Sequence, residues 1–175
     1  MKRTMVAVVT LGVIVLASGC SDSTTLKASK AASFPEGVCT AISDWGHEMV
    51  DAANAFTDET TRLNQGGRRS RYLFAFDDQH RITEDLRGEL DAVPSTGVSD
   101  ADAIRSELLN AVADVQGNIA AQKADAAANV DFSTIGPKPD RLFAGTEKSL
   151  SLMLKPLDNI GRAHKVDALG GSCGR

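Results

Sequence analysis

The chain has 175 residues, enough for one domain around a single core, and 42% of them are hydrophobic. Its 23 acidic residues outnumber 19 Lys and Arg for a net charge of −4, which argues against a nucleic-acid partner, because neutralising phosphates takes clustered basic residues. Aromatic residues make up 5%, which favours helices over a sheet built from aromatic and β-branched side chains.

The chain opens with Lys2 and Arg3, followed by an apolar run from Met5 to Ala17. Crossing the ~30 Å hydrocarbon core takes roughly 20 apolar residues, so this run is too short to span and suits the h-region of an export signal. It ends in Ala17-Ser18-Gly19-Cys20, which resembles the lipobox of bacterial lipoproteins. The resemblance implies cleavage before Cys20, palmitate-type acyl chains and diacylglycerol on that residue, and a protein held at the extracytoplasmic face of the cell membrane. Each buried CH₂ of such chains contributes ~0.8 kcal/mol. Residues 1–19 hold two basic residues and no acid, so their removal leaves 17 basic against 23 acidic residues, a net of −6. Attraction to anionic lipid is therefore not what anchors the protein. Residues 20–33 supply the lipidated Cys20 and a small, polar, flexible tether. The domain is expected over 34–175.

Four helices are predicted. Ser33 and Glu36 form an S-x-x-E capping box with Pro35 in the first turn, opening a helix of roughly 28 residues. Val38, Ile42, Trp45, Met49, Ala52, Phe56 and Leu63 form its buried stripe, and Asn64-Gln65-Gly66-Gly67 stops it. The second helix spans about Arg69 to Ala92, with Tyr72, Phe76, Gln79, Ile82, Leu86 and Leu90 inward and Phe74 on the opposite face. Val93-Pro94-Ser95-Thr96-Gly97 breaks the chain. Ser99, with Asp102 three places on, starts a third helix marked by Ile104, Leu108, Ala111, Val115 and Ile119. Gln122 interrupts that stripe before Ala126, and the alanine-rich end runs to about Asn129. Val130 to Pro139 is the one long connection. Asp140 is the expected N-cap of the fourth helix, whose apolar positions are Phe143, Leu150, Met153, Leu154, Leu157 and Ile160. Pro156 should kink that helix without ending it.

The fold expected is an all-α, antiparallel up-down-up-down four-helix bundle. Export places Cys39 and Cys173 in an oxidising compartment, where two thiols pair. Cys39 lies one turn into the first helix and Cys173 just beyond the fourth. These positions share an end of the bundle only when the number of antiparallel helices is even, so a Cys39–Cys173 disulfide fits four helices and not three.

No pattern here builds a convincing catalytic site. His47-Glu48-Met49-Val50-Asp51 looks like a zincin motif with Asp51 in place of the second histidine, but His47, Asp44 and Asp51 fall on the face away from the apolar stripe. Asp77 and His80 have the spacing of a di-iron bundle motif without the second copy such a site needs. His164 is expected to be a satisfied histidine packed beside the disulfide. No G-x-S-x-G occurs, and Gly66-Gly67 lacks the Lys-Ser/Thr of a phosphate loop.

Two places could bind something. Arg62, Arg68, Arg69 and Arg71 gather beside Phe74, a basic and aromatic corner that would meet an anionic partner, or whose Arg stems cover apolar surface while the ring packs under the turn. The thin alanine-rich end of the third helix and the 130–139 connection leave either a groove or a close helix crossing. In layout and composition the chain resembles small lipoproteins of actinobacterial-type envelopes. The expectation is a non-enzymatic module without a cofactor, binding a protein or cell-wall partner. The alternative is a carrier of an apolar or lipid ligand inside the bundle, in a void lined by Met49, Phe56 and Met153.

Overall fold

The computed structural model describes residues 32–60, 63–135, 139–169 and 173, the side chains of 57–60 excepted. The export signal, Cys20, most of the tether and Arg62 lie outside the described residues. Within them the chain is all-helical: α1 (Phe34–Thr60), α2 (Gln65–Ala92), α3 (Ala101–Asn129), α4 (Asp140–Ala163) and a short 3₁₀ turn, Asp167–Leu169. Each helix packs on the next, and α4 and the 3₁₀ turn close back onto α1, giving the antiparallel four-helix bundle. Among the described residues no helix is long and apolar enough to cross a membrane.

Helix starts follow local hydrogen bonding, and three of the four differ from expectation. At α1 the Ser33 N–H donates to Glu36 Oε2 at 2.8 Å and its hydroxyl donates to the same oxygen at 2.9 Å, so the acid satisfies the cap as expected. The first turn then sits hard against the α2–α3 connection. A β-carbon on Gly37 would lie 2.8 Å from Val93 Cγ1, so only glycine permits this approach. Asn64 does not stop α1; it caps α2, accepting from the Gly67 N–H at 2.8 Å, so α2 begins at Gln65 and not Arg69. Leu63 consequently lies in the connection and not on the α1 stripe. Ser99 does not cap α3. Asp100 precedes the helix without a side-chain cap, and Asp102 instead binds Arg105 Nη1 at 2.6 Å. Asp140 is the first residue of α4, not its N-cap, which is Pro139. The helix runs through Pro156 to Ala163.

The predicted stripes of α1, α2 and α3 are buried, from Val38 to Phe56, Tyr72 to Leu90, and Ile104 to Ala126 apart from Gln122. On α4 the expectation fails in part. Leu142, Gly145, Thr146 and Ser149 face the core with Met153, Leu157 and Ile160, whereas Phe143 and Leu150 are half-buried and Leu154 is exposed. The reason is a polar belt across the bundle. Gln79 Nε2 donates to Thr146 Oγ1 at 2.7 Å, Asn118 Nδ2 to Ser149 Oγ at 3.1 Å, and Trp45 Nε1 to Thr83 Oγ1 at 3.2 Å. Each buried polar group in the belt thereby recovers a partner, which removes the cost of taking it out of water.

Candidate functional site

Antiparallel packing gives the bundle two unlike ends. One gathers the start of α1, the α2–α3 connection and the end of α4. There Cys39 and Cys173 form the expected disulfide, with Cα atoms 4.5 Å apart and a sequence separation of 134. Arg105 donates to the Val93 and Leu90 carbonyls and lies 5.5 Å from the Phe34 ring centre. His164 is a satisfied histidine, as expected, and the partners that satisfy it lie on the α3 side. Its Nδ1 is 3.1 Å from Asp100 Oδ2 and its Nε2 3.1 Å from Glu107 Oε1. Two acceptors on two ring nitrogens favour the imidazolium, and these bonds to Asp100 and Glu107 hold the His164 pKa above its ordinary value.

The other end gathers the close of α1, the start of α2, the end of α3 and the start of α4. The arginines of the predicted corner part company there. Arg68 Nε donates to the Leu63 carbonyl at 3.0 Å, closing the turn. Arg69 lies 5.7 Å above the Phe132 ring, and Arg71 lies 5.2 Å above Phe74. Phe74 is 53% exposed, so its ring is not packed under the turn.

Beside this corner the bundle opens a groove of about 400 Å³ between α3 and α4, at the alanine-rich end of α3. Tyr72 and Phe76 of α2 form its floor; Ala121 and Ala126 of α3 and Ala144 and Gly145 of α4 form thin walls. Polar groups edge it at helical spacing: Asn118, Gln122 and Asp125 from α3, Arg141 and Lys148 from α4. Gln122 leans over Gly145, its Oε1 1.5 Å from where a β-carbon would stand and its Nε2 donating to the Gly145 carbonyl at 3.4 Å. Arg141 Nη1 reaches Asp125 Oδ2 at 3.1 Å across the groove. A neighbouring groove of about 290 Å³, along the 129–135 connection, shares Tyr72 and Arg141 with the first.

Tyr72 is the unusual residue. It is fully buried, edge-on to Phe56, Phe76 and Phe132 with ring centres 5.4, 5.5 and 5.8 Å away. Its hydroxyl has no hydrogen-bond partner among the described residues. Burial pushes the phenol pKa up, Arg141 pulls it back and Asp125 adds to the rise, so the hydroxyl stays protonated and lies within the field of that ion pair. Leaving such a group unpaired costs about 1–3 kcal/mol. Sequence reasoning marked Tyr72 as core, noted Gln122 as an interruption and named the groove as one of two alternatives. Phe132, Arg141 and Lys148 gave no local signal, because only tertiary packing brings them to Tyr72.

His47, Asp44, Asp51, Asp77 and His80 are exposed. Among the described residues no three His, Cys, Asp or Glu side chains gather in a way that could hold a metal ion. Met49, Phe56 and Met153 are fully buried in the core, and none of them lines the α3–α4 groove. No family model, curated protein or solved structure matches the chain.

Proposed function

We propose that the protein is exported, cut before Cys20 and held by acyl chains at the extracytoplasmic face of the cell membrane, where its bundle serves as a non-enzymatic module binding a protein or cell-envelope partner. The observation that carries the binding role is the Arg71–Phe74 pair. An aromatic ring more than half exposed beneath a guanidinium, on a protein of net negative charge, has the composition that interface centres concentrate. Its partner is anionic, since Arg69 and Arg71 both stand at this corner. The disulfide supports the extracytoplasmic location, because such bonds persist where the compartment is oxidising.

A photo-crosslinking residue at Phe74, introduced in the native host, should give a discrete adduct that the same residue at exposed Gly88 does not. Equal adducts at both positions would count against the docking role. Cys20→Ala in the same host should move the protein out of the membrane fraction, and continued retention there would remove the anchor.

A second reading is favoured by the groove between α3 and α4 and its unpaired phenol: the bundle carries a small apolar or lipid ligand, at this groove and not in its interior.

A further inference from the structure

A buried hydroxyl with no partner among the described residues, as on Tyr72, lowers the stability of the fold that keeps it, and phenylalanine at the same place would avoid that cost. Tyr72 lies at the floor of a groove whose edges carry Arg141 and Lys148 against Asp125, one positive charge in excess on an acidic chain. The bond to Asp125 takes only Nη1 of Arg141, and Lys148 has no ion-pair partner among the described residues. The walls beyond are small and apolar, and about 400 Å³ falls within the range of small-molecule sites, roughly 300–1,000 Å³.

We propose that the α3–α4 groove binds a small single-tailed anion, its carboxylate head accepting the Tyr72 hydroxyl proton and balanced by Arg141 and Lys148, its tail lying over Phe76 and the alanine walls. This rests on the carrier reading and gives it a place and a ligand class. Protonated Tyr72 is a donor in want of an acceptor, so the ligand must bring the acceptor; the excess positive charge makes a carboxylate better than an alcohol and a cation worst. Arg141 borders both grooves, so a turn of its side chain away from Asp125 brings the guanidinium to the head group while opening the way toward the 129–135 connection.

The test is a calorimetric titration of the full chain with decanoate, decanol and decyltrimethylammonium, below their micellar concentrations. Tyr72→Phe is titrated in parallel, and the denaturation midpoints of both proteins are compared. Decanoate should bind at least about tenfold more tightly than decanol, with no saturable binding of the cation. Tyr72→Phe should weaken decanoate about tenfold or more, as loss of a charge-assisted hydrogen bond does, while its midpoint without ligand stays at or above that of the wild type. Equal binding of decanoate and decanol would overturn the anion assignment and leave the carrier reading standing. No binding of any of the three would overturn both. A Tyr72→Phe midpoint clearly below the wild type would show that the hydroxyl serves the fold, and would overturn its assignment to a ligand.

Discussion

One hydroxyl, on Thr83, serves a donor and an acceptor, with Met49 Sδ a further 3.8 Å neighbour. It accepts from the Trp45 indole N–H at 3.2 Å and donates to the Gln79 carbonyl one turn back at 2.8 Å. Thr83→Val preserves the shape and strands a buried indole N–H, so the expected loss is about 1–3 kcal/mol, read from urea unfolding with an unchanged slope. A loss within a few tenths of a kcal/mol would mean that the indole finds another acceptor. How far such residues can be read from sequence depends on which helix face they share. Gln79 stands among Tyr72, Phe76, Ile82 and Leu86, and its burial follows from its spacing. Thr146 and Ser149 have Glu147 and Lys148 beside them, so the inward face of α4 reads as solvent-facing until Gln79 and Asn118 supply its partners. Tyr72 is a different case. Its position on the stripe was plain, but an unpaired hydroxyl is a fact about what is missing around it, and spacing does not record that.

At the scale of elements, helix number and phase were legible because α1, α2 and α3 carry long apolar stripes at 3.6-residue spacing. Helix starts were less so. Asn64 could close α1 or open α2 on composition alone, and the bond from the Gly67 N–H decides for α2. The C-terminal end of α4 depends on a contact that no spacing rule anticipates, His164 against Asp100 and Glu107 of the α3 end. The His164 pKa is raised, so its contribution is complete below about pH 6.5, the unfolded value, and is lost as pH rises through the folded value. The Asp100 pKa is lowered by its bonds to His164 and Ser99, so its contribution is present above about pH 3.9 and is lost as pH falls through the folded value. The tie between α3 and the end of α4 is thus strongest between about pH 4 and 6.5. Thermal unfolding of the wild type and His164→Gln should converge as pH rises from 6 to 9, with the wild type the more stable at pH 6. A constant difference across that range would place the effect of His164 in packing and not in charge.

For the whole molecule, parity carried the topology: two cysteines near the chain ends of the domain can meet at one end of a bundle of four helices, and they do. With a sequence separation of 134, the chain-entropy treatment puts the stabilisation at about 4–5 kcal/mol, an upper figure. Cys39→Ser with Cys173→Ser should therefore lower the unfolding midpoint substantially while the helical circular dichroism of the folded state is kept. A double variant as stable as the oxidised wild type would mean that packing of the 3₁₀ turn holds the tail on its own. The same bond also changes what damage to the backbone means. Residues 39 to 173 form a closed hoop, and the exposed connection at 94–97 is an open target for a protease. A single nick there opens the hoop into a longer thread but frees no fragment. The two halves remain each other's nearest neighbours and can re-dock, so shedding any part of the hoop takes either a second cut or a reductant.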